Sequence, residues 1–73
     1  MKASYTYVKR EDVQACKELV RTMIKRDRAK GYLRESSDYA YHAARFFDCM
    51  DMDFRMDLYE WTEEEMLKGG TAR

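Results

Sequence analysis

Between Lys9 and Lys30 the apolar residues Val13, Cys16, Val20 and Met23 recur at three- and four-residue intervals, and Leu19 and Ile24 widen the row. On a helix of 3.6 residues per turn this spacing gathers them on one face, so the segment predicts an amphipathic helix. Glu11 and Asp12 in its first turn and Arg28 and Lys30 in its last complement the helix dipole. Gly31 supplies the left-handed residue that commonly closes a helix.

A short connector over 32–36 leads to a second pattern. Ser37, followed by Asp38, is the expected N-cap. Beyond it Ala40, Ala43, Phe47, Met50, Phe54 and Trp61 fall on one seam, broken by Asp57 with Leu58 beside the gap. This predicts one long helix over about 38–61. Thr62 and Glu65 match the capping-box spacing, with Glu63 and Glu64 between them, and predict a short further helix carrying Met66 and Leu67. Residues 2–8 are expected to be extended and the tail 69–73 to fray.

A second periodicity competes inside that pattern. Met50, Met52, Phe54, Met56 and Leu58 alternate with Asp51, Asp53, Arg55 and Asp57, as in a half-buried strand, and Tyr5 and Tyr7 alternate near the N-terminus. The alternative is therefore an α+β chain with a two-stranded pairing of 3–8 and 50–58. Asp and Met are poor strand residues and no turn signal precedes the stretch, so helix is the expectation.

The predicted long helix is apolar on more than one side. His42, Arg45, Cys49, Met52, Met56 and Tyr59 also keep three–four spacing, away from the Phe47–Phe54 seam. A hairpin with one neighbour needs only the first seam, so this stripe is the candidate partner-binding surface. Methionine adapts its shape and tyrosine joins an apolar ring to a polar tip, which suits such surfaces. Tyr39, Tyr41, Phe46 and Phe47 cluster near the start of the same helix and are expected in the core or at an interface.

Size strengthens the expectation of a partner. A chain of 73 residues is a single domain, 1–73, and buries little surface, so a staple, a metal, a partner or a second copy is commonly needed. Cys16 and Cys49 allow one disulfide at most, and no CxxC or Cys/His cluster suggests zinc. A reduced, packed pair in a cytoplasmic protein is the expectation, since neither an apolar leader nor a run near the ~20 residues of a membrane span is present.

Charge adds two more candidate surfaces. Lys and Arg outnumber Asp and Glu by ten to four over 1–34, and the ratio reverses over 35–73, leaving a net charge of zero. Lys17, Arg21, Lys25 and Arg28 form a basic stripe able to follow a phosphate backbone. Asp48, Asp51, Asp53, Asp57, Glu60, Glu63 and Glu64 form an acidic face. Complementary halves folding together explain the polarity most simply.

Catalytic and metal chemistry find little support in the spacing. Asp51 and Asp53 point roughly 200° apart on a helix and cannot share an ion, and a calcium loop needs more oxygens and a glycine turn. His42, the single histidine, sits four residues from Asp38, while Cys49 lies two turns away, roughly 10 Å along the axis. No metal, cofactor or catalytic residue is assigned.

The predicted fold is all-α: an antiparallel helical hairpin with a short C-terminal helix, able to pair with a second copy into a bundle. The predicted function is a small protein-interaction module, a regulator or inhibitor acting through the second helix. The alternatives are a nucleic-acid-binding protein using the basic stripe and an acidic mimic of nucleic acid, the device of phage-type inhibitors of nucleic-acid enzymes.

Overall fold

The computed structural model describes Tyr5 and residues 8–71. Three helices follow one another: α1 (Arg10–Lys30), α2 (Ser36–Phe46) and α3 (Met52–Thr71). Each packs on the other two, giving a three-helix bundle of 36 × 20 × 18 Å. The expected all-α fold is thus found, and no strand occurs among the described residues, Tyr5 and Val8 forming one isolated bridge. The 52–58 stretch that alternates in sequence is helical; of the segment 3–8 proposed to pair with it, residues 3, 4, 6 and 7 lie outside the described residues.

α1 follows its sequence pattern closely. Val13, Cys16, Val20, Met23 and Ile24 are buried, and Val8 and Val13 occupy the two positions of a hydrophobic staple around the Lys9 N-cap. Gly31 (φ 91°) ends it, its amide donating to the Arg28 carbonyl at 3.1 Å and the Tyr32 amide to Asp27 at 3.2 Å. These two bonds make a Schellman motif, which only a left-handed residue closes without strain.

The expected long helix over 38–61 is instead two helices. The break reproduces the same motif without a glycine: Asp48 takes φ 56°, its amide donates to Arg45 at 3.1 Å, and the Cys49 amide donates to Ala44 at 2.8 Å. Aspartate is among the few side chains that tolerate this conformation. Asp51 then starts α3, its Oδ1 accepting from the Phe54 amide at 3.0 Å and its carbonyl from the Arg55 amide at 2.9 Å. This is an N-cap with its third-residue bond.

Two further helix starts are corrected. α2 begins at Ser36 after Glu35, with no side-chain cap, so Ser37 lies inside the helix. Thr62 caps nothing; it is fully buried within α3 and its hydroxyl donates back to the Leu58 carbonyl at 2.7 Å. A threonine inside a helix commonly bonds the preceding turn in this way. The α3 backbone stays helical through 69–71, while 72 and 73, the end of the tail expected to fray, lie outside the described residues.

The core lies where the three helices meet. Phe54 and Leu58 from α3, Ala43 and Ala44 from α2 and Cys16 and Val20 from α1 are fully buried. The two alanines let α2 approach closely enough for the Cys16 thiol to sit 3.6 Å from the Ala43 carbonyl. The Tyr5 ring meets Phe54 edge-on at 5.3 Å, and its hydroxyl donates to Asp57 at 2.7 Å, tying the N-terminal segment to α3.

Candidate functional site

α3 shows three faces. Phe54, Leu58 and Trp61 turn inward, Asp53, Asp57, Glu60 and Glu64 share an outer stripe at three–four spacing, and Met52, Met56 and Tyr59 form a third row. At about 100° per residue the two methionines point roughly 140–180° away from Trp61. They stay exposed, Met52 at 65% and Met56 at 58%, with Tyr59 at 39%.

Across from this row stands α2. Ser37, Asp38, Ala40 and Tyr41 face Met52, Arg55, Met56, Tyr59 and Glu60 over an open groove of about 570 Å³. The Arg55 guanidinium lies 5.6 Å from the Tyr41 ring centroid, a cation–π contact across the groove floor. A second hollow of about 330 Å³, lined by Ser36, Glu63, Met66 and Leu67, carries the same row toward the end of α3. On α3 the two hollows are lined from Met52 to Leu67, about 23 Å along the helix at 1.5 Å per residue, while α2 lines them only over 36–41.

The predicted partner-binding stripe is therefore divided. Met52, Met56 and Tyr59 come together in the groove. His42 and Arg45 are exposed on α2 and do not line it, and Cys49 is buried at the α2–α3 link. The break at Asp48 causes the division, because a rotation about a bent link replaces the continuous helix on which the six residues would align. Tyr41, Asp38 and Arg55 are the groove residues the periodicity did not select. Tyr41 follows the buried Ala40 and is itself 46% exposed, three residues before the fully buried Ala44.

The basic stripe of α1 is largely turned onto α3. Lys17 Nζ and Arg21 Cζ stand 5.5 and 5.1 Å from the Trp61 ring centroid. Arg21 Nε pairs with Glu65 at 3.2 Å, and Arg28 donates to the Met66 carbonyl at 3.0 Å; Lys25 is exposed. Burial works against the Glu65 charge, yet the hydrogen bonds from Lys68 and Arg21 outweigh it and hold the carboxyl below its ordinary range. Opposite charges of the two halves thus meet inside one chain.

The acidic residues also separate by role. Asp48 and Asp51 shape the α2–α3 link, Asp57 accepts from Tyr5, and Glu60, Glu63 and Glu64 are exposed along the groove side and outer face of α3. Among the described residues no three His, Cys, Asp or Glu side chains stand close enough to share a metal ion.

Asp27 was not singled out by sequence. It continues the buried row of α1 after Val20 and Met23, is 4% exposed, and accepts from the Tyr39 hydroxyl at 2.7 Å. Arg26 Nε at 3.4 Å and Arg34 Nε at 3.8 Å complete its surroundings, and the Tyr39 oxygen accepts from the Arg34 amide at 3.0 Å. The Tyr39 hydrogen bond, helped by the two guanidinium groups, holds the Asp27 carboxyl below its ordinary range despite burial. A carboxylate on an otherwise apolar seam is the signal that reveals it.

Both cysteines are free and buried. Burial, with Cys49 close by, pushes the Cys16 thiol up to about 12, and burial likewise raises Cys49. Such thiols are poor nucleophiles at neutral pH. Comparison with protein-family models, curated proteins and solved structures finds no match for this chain. No helix among the described residues is long and apolar enough to cross a membrane.

Proposed function

We propose that this chain is a small protein-interaction module, a regulator or inhibitor that docks a partner protein in the α2–α3 groove. The observation that carries the reading is the groove row itself. The core is filled by other residues, yet Met52, Met56 and Tyr59 remain outside it, side by side and opposite Tyr41. Exposed apolar side chains scattered singly are ordinary; a contiguous set rimmed by polar groups marks an interaction surface.

Replacing Met52 and Met56 by Asp tests it. Both side chains are exposed, so the double variant keeps its far-UV helicity and thermal midpoint while losing a partner that the unaltered chain captures from cell extract. Equal capture by both chains, or a loss of helicity in the variant, overturns the reading.

The nucleic-acid reading has a separate test. Arg21→Glu with Lys25→Glu abolishes salt-sensitive binding if the basic stripe tracks phosphates. Since Arg21 holds Glu65 and stacks on Trp61, the Lys25→Glu variant alone keeps that test apart from an effect on the bundle.

A further inference from the structure

We infer that the occupant of the groove is a cationic amphipathic helix of about four turns supplied by another protein, a deepening that rests on the docking reading above. Length comes first. The exposed residues Met52, Met56, Tyr59 and Leu67, with the half-buried Met66 beside the last of them, span about 23 Å along α3, the length of some fifteen helical residues. Its walls are two helices, and no strand among the described residues offers an edge for an extended peptide. A groove between helices receives an amphipathic helix through apolar anchors one turn apart. Methionine at the contact, with Met52 65% exposed and Leu67 69%, gives that groove an adaptable floor.

Charge sets the class of helix. Asp38, Glu60 and Glu63 line the two hollows, Glu64 stands on the adjoining face, and Arg55 is the one cation among the lining residues. Arg55 is half-buried and committed to the Tyr41 ring. The rim is thus acidic around an apolar floor, while the chain as a whole carries no net charge. Attraction for a basic partner therefore comes from this face and not from a bulk excess of carboxylates.

A second copy of this chain does not supply such a helix. Of the apolar row of the basic helix α1, Val13, Cys16, Val20, Met23 and Ile24 are buried in the chain's own core and Leu19 is partly buried against it. Among the described residues, the large apolar side chains that a second copy exposes outside the two hollows are Tyr32 and Leu33 in the α1–α2 connector, Phe46 at the end of α2 and Met50 in the link after it, none of them on the basic helix.

Three synthetic helical peptides test the inference, each with leucines on one face and Lys, Gln or Glu on the other, followed by anisotropy of a label on the peptide. The Lys peptide binds saturably and one-to-one, binds more weakly in high salt, and the Glu peptide does not bind. Met56→Asp abolishes this binding with helicity unchanged, and Glu60→Gln with Glu63→Gln weakens it roughly three- to tenfold, the worth of two partly exposed ion pairs. Equal binding of all three peptides overturns the cationic class but leaves the docking groove standing. Binding of the Lys peptide that Met56→Asp does not disturb places it elsewhere and overturns the inference. No binding by any peptide also overturns it, and the Met52/Met56 capture experiment then decides separately whether the groove docks a partner at all.

Discussion

The Tyr39 hydroxyl donates to Asp27 and accepts from the Arg34 amide, so one oxygen joins the end of α1, the connector and the start of α2. Its worth depends on the Asp27 charge. A carboxyl whose folded pKa lies below its ordinary 3.8 contributes stability above that value and loses it as pH falls through the folded one. Tyr39→Phe removes the largest cause of that shift. It should lower the thermal midpoint at neutral pH, with the difference from the unaltered chain shrinking below pH 3.8; a pH-independent difference would assign Tyr39 to packing alone. Cys16 acts at the other end of the scale. Its stabilising contribution is full below the ordinary thiol value of 9.0 and is lost as pH climbs toward about 12. Because both thiols are buried, alkylation by iodoacetamide at neutral pH should be far slower in the native chain than in denaturant. Equal rates would mean the sulfurs are accessible.

The link over 47–51 is the least expected element, and its two aspartates do different work. Asp48 stands where Gly31 stands in the first helix ending, so Asp48→Gly should hold or raise stability by up to about 1 kcal/mol, and Asp48→Val should lower it by about 1 kcal/mol or more. Asp51→Ala removes the N-cap bond to the Phe54 amide and should cost about 1 kcal/mol in urea unfolding. If the two segments formed one continuous helix, Asp48→Val would be neutral and Asp51→Ala slightly favourable. These residues also explain what the pattern concealed. Of the predicted seam, Ala40, Ala43 and Phe54 are buried with Leu58 beside them, Phe47 and Trp61 are half-buried against the core, and Met50, which falls in the link, is exposed. The break was not legible because the apolar spacing passes through it in register and the left-handed residue is Asp, not Gly. Thr62 misled for a related reason: the residue that caps a helix start also bonds backwards inside a helix, and only the α3 start at Asp51 separates the two.

At the scale of the whole molecule the bundle leans on few large side chains. A chain of this length has about 4–11 kcal/mol of stability to lose. Phe54 is fully buried at the centre and in contact with Tyr5, so Phe54→Ala, at about 3–5 kcal/mol, should remove a third or more of the mid-range stability and nearly all of it at the low end. A large fall or loss of the cooperative thermal transition in calorimetry is the expected result, and a shift of only a few degrees would show that the core collapses around the gap. The candidate site was half legible at this scale. Met52, Met56 and Tyr59 could be chosen from spacing, but their far wall, with Tyr41 and Asp38, depends on the angle between α2 and α3, which no one-dimensional period encodes. The basic stripe was legible as a stripe; that Lys17, Arg21 and Arg28 turn toward α3 follows from the position of Trp61 and Met66 across from them.

Trp61, held beneath Lys17 and Arg21, is the chain's single tryptophan. It makes the protein its own spectrometer, and a selective one. The indole senses whether α1 and α3 are together, and its emission should move to the red as denaturant separates them. The groove opens on the opposite side of the same helix, so a peptide lacking tryptophan can occupy it while the intrinsic emission stays constant. Folding and docking are then read in one cuvette on two channels, the indole for the first and a labelled ligand for the second.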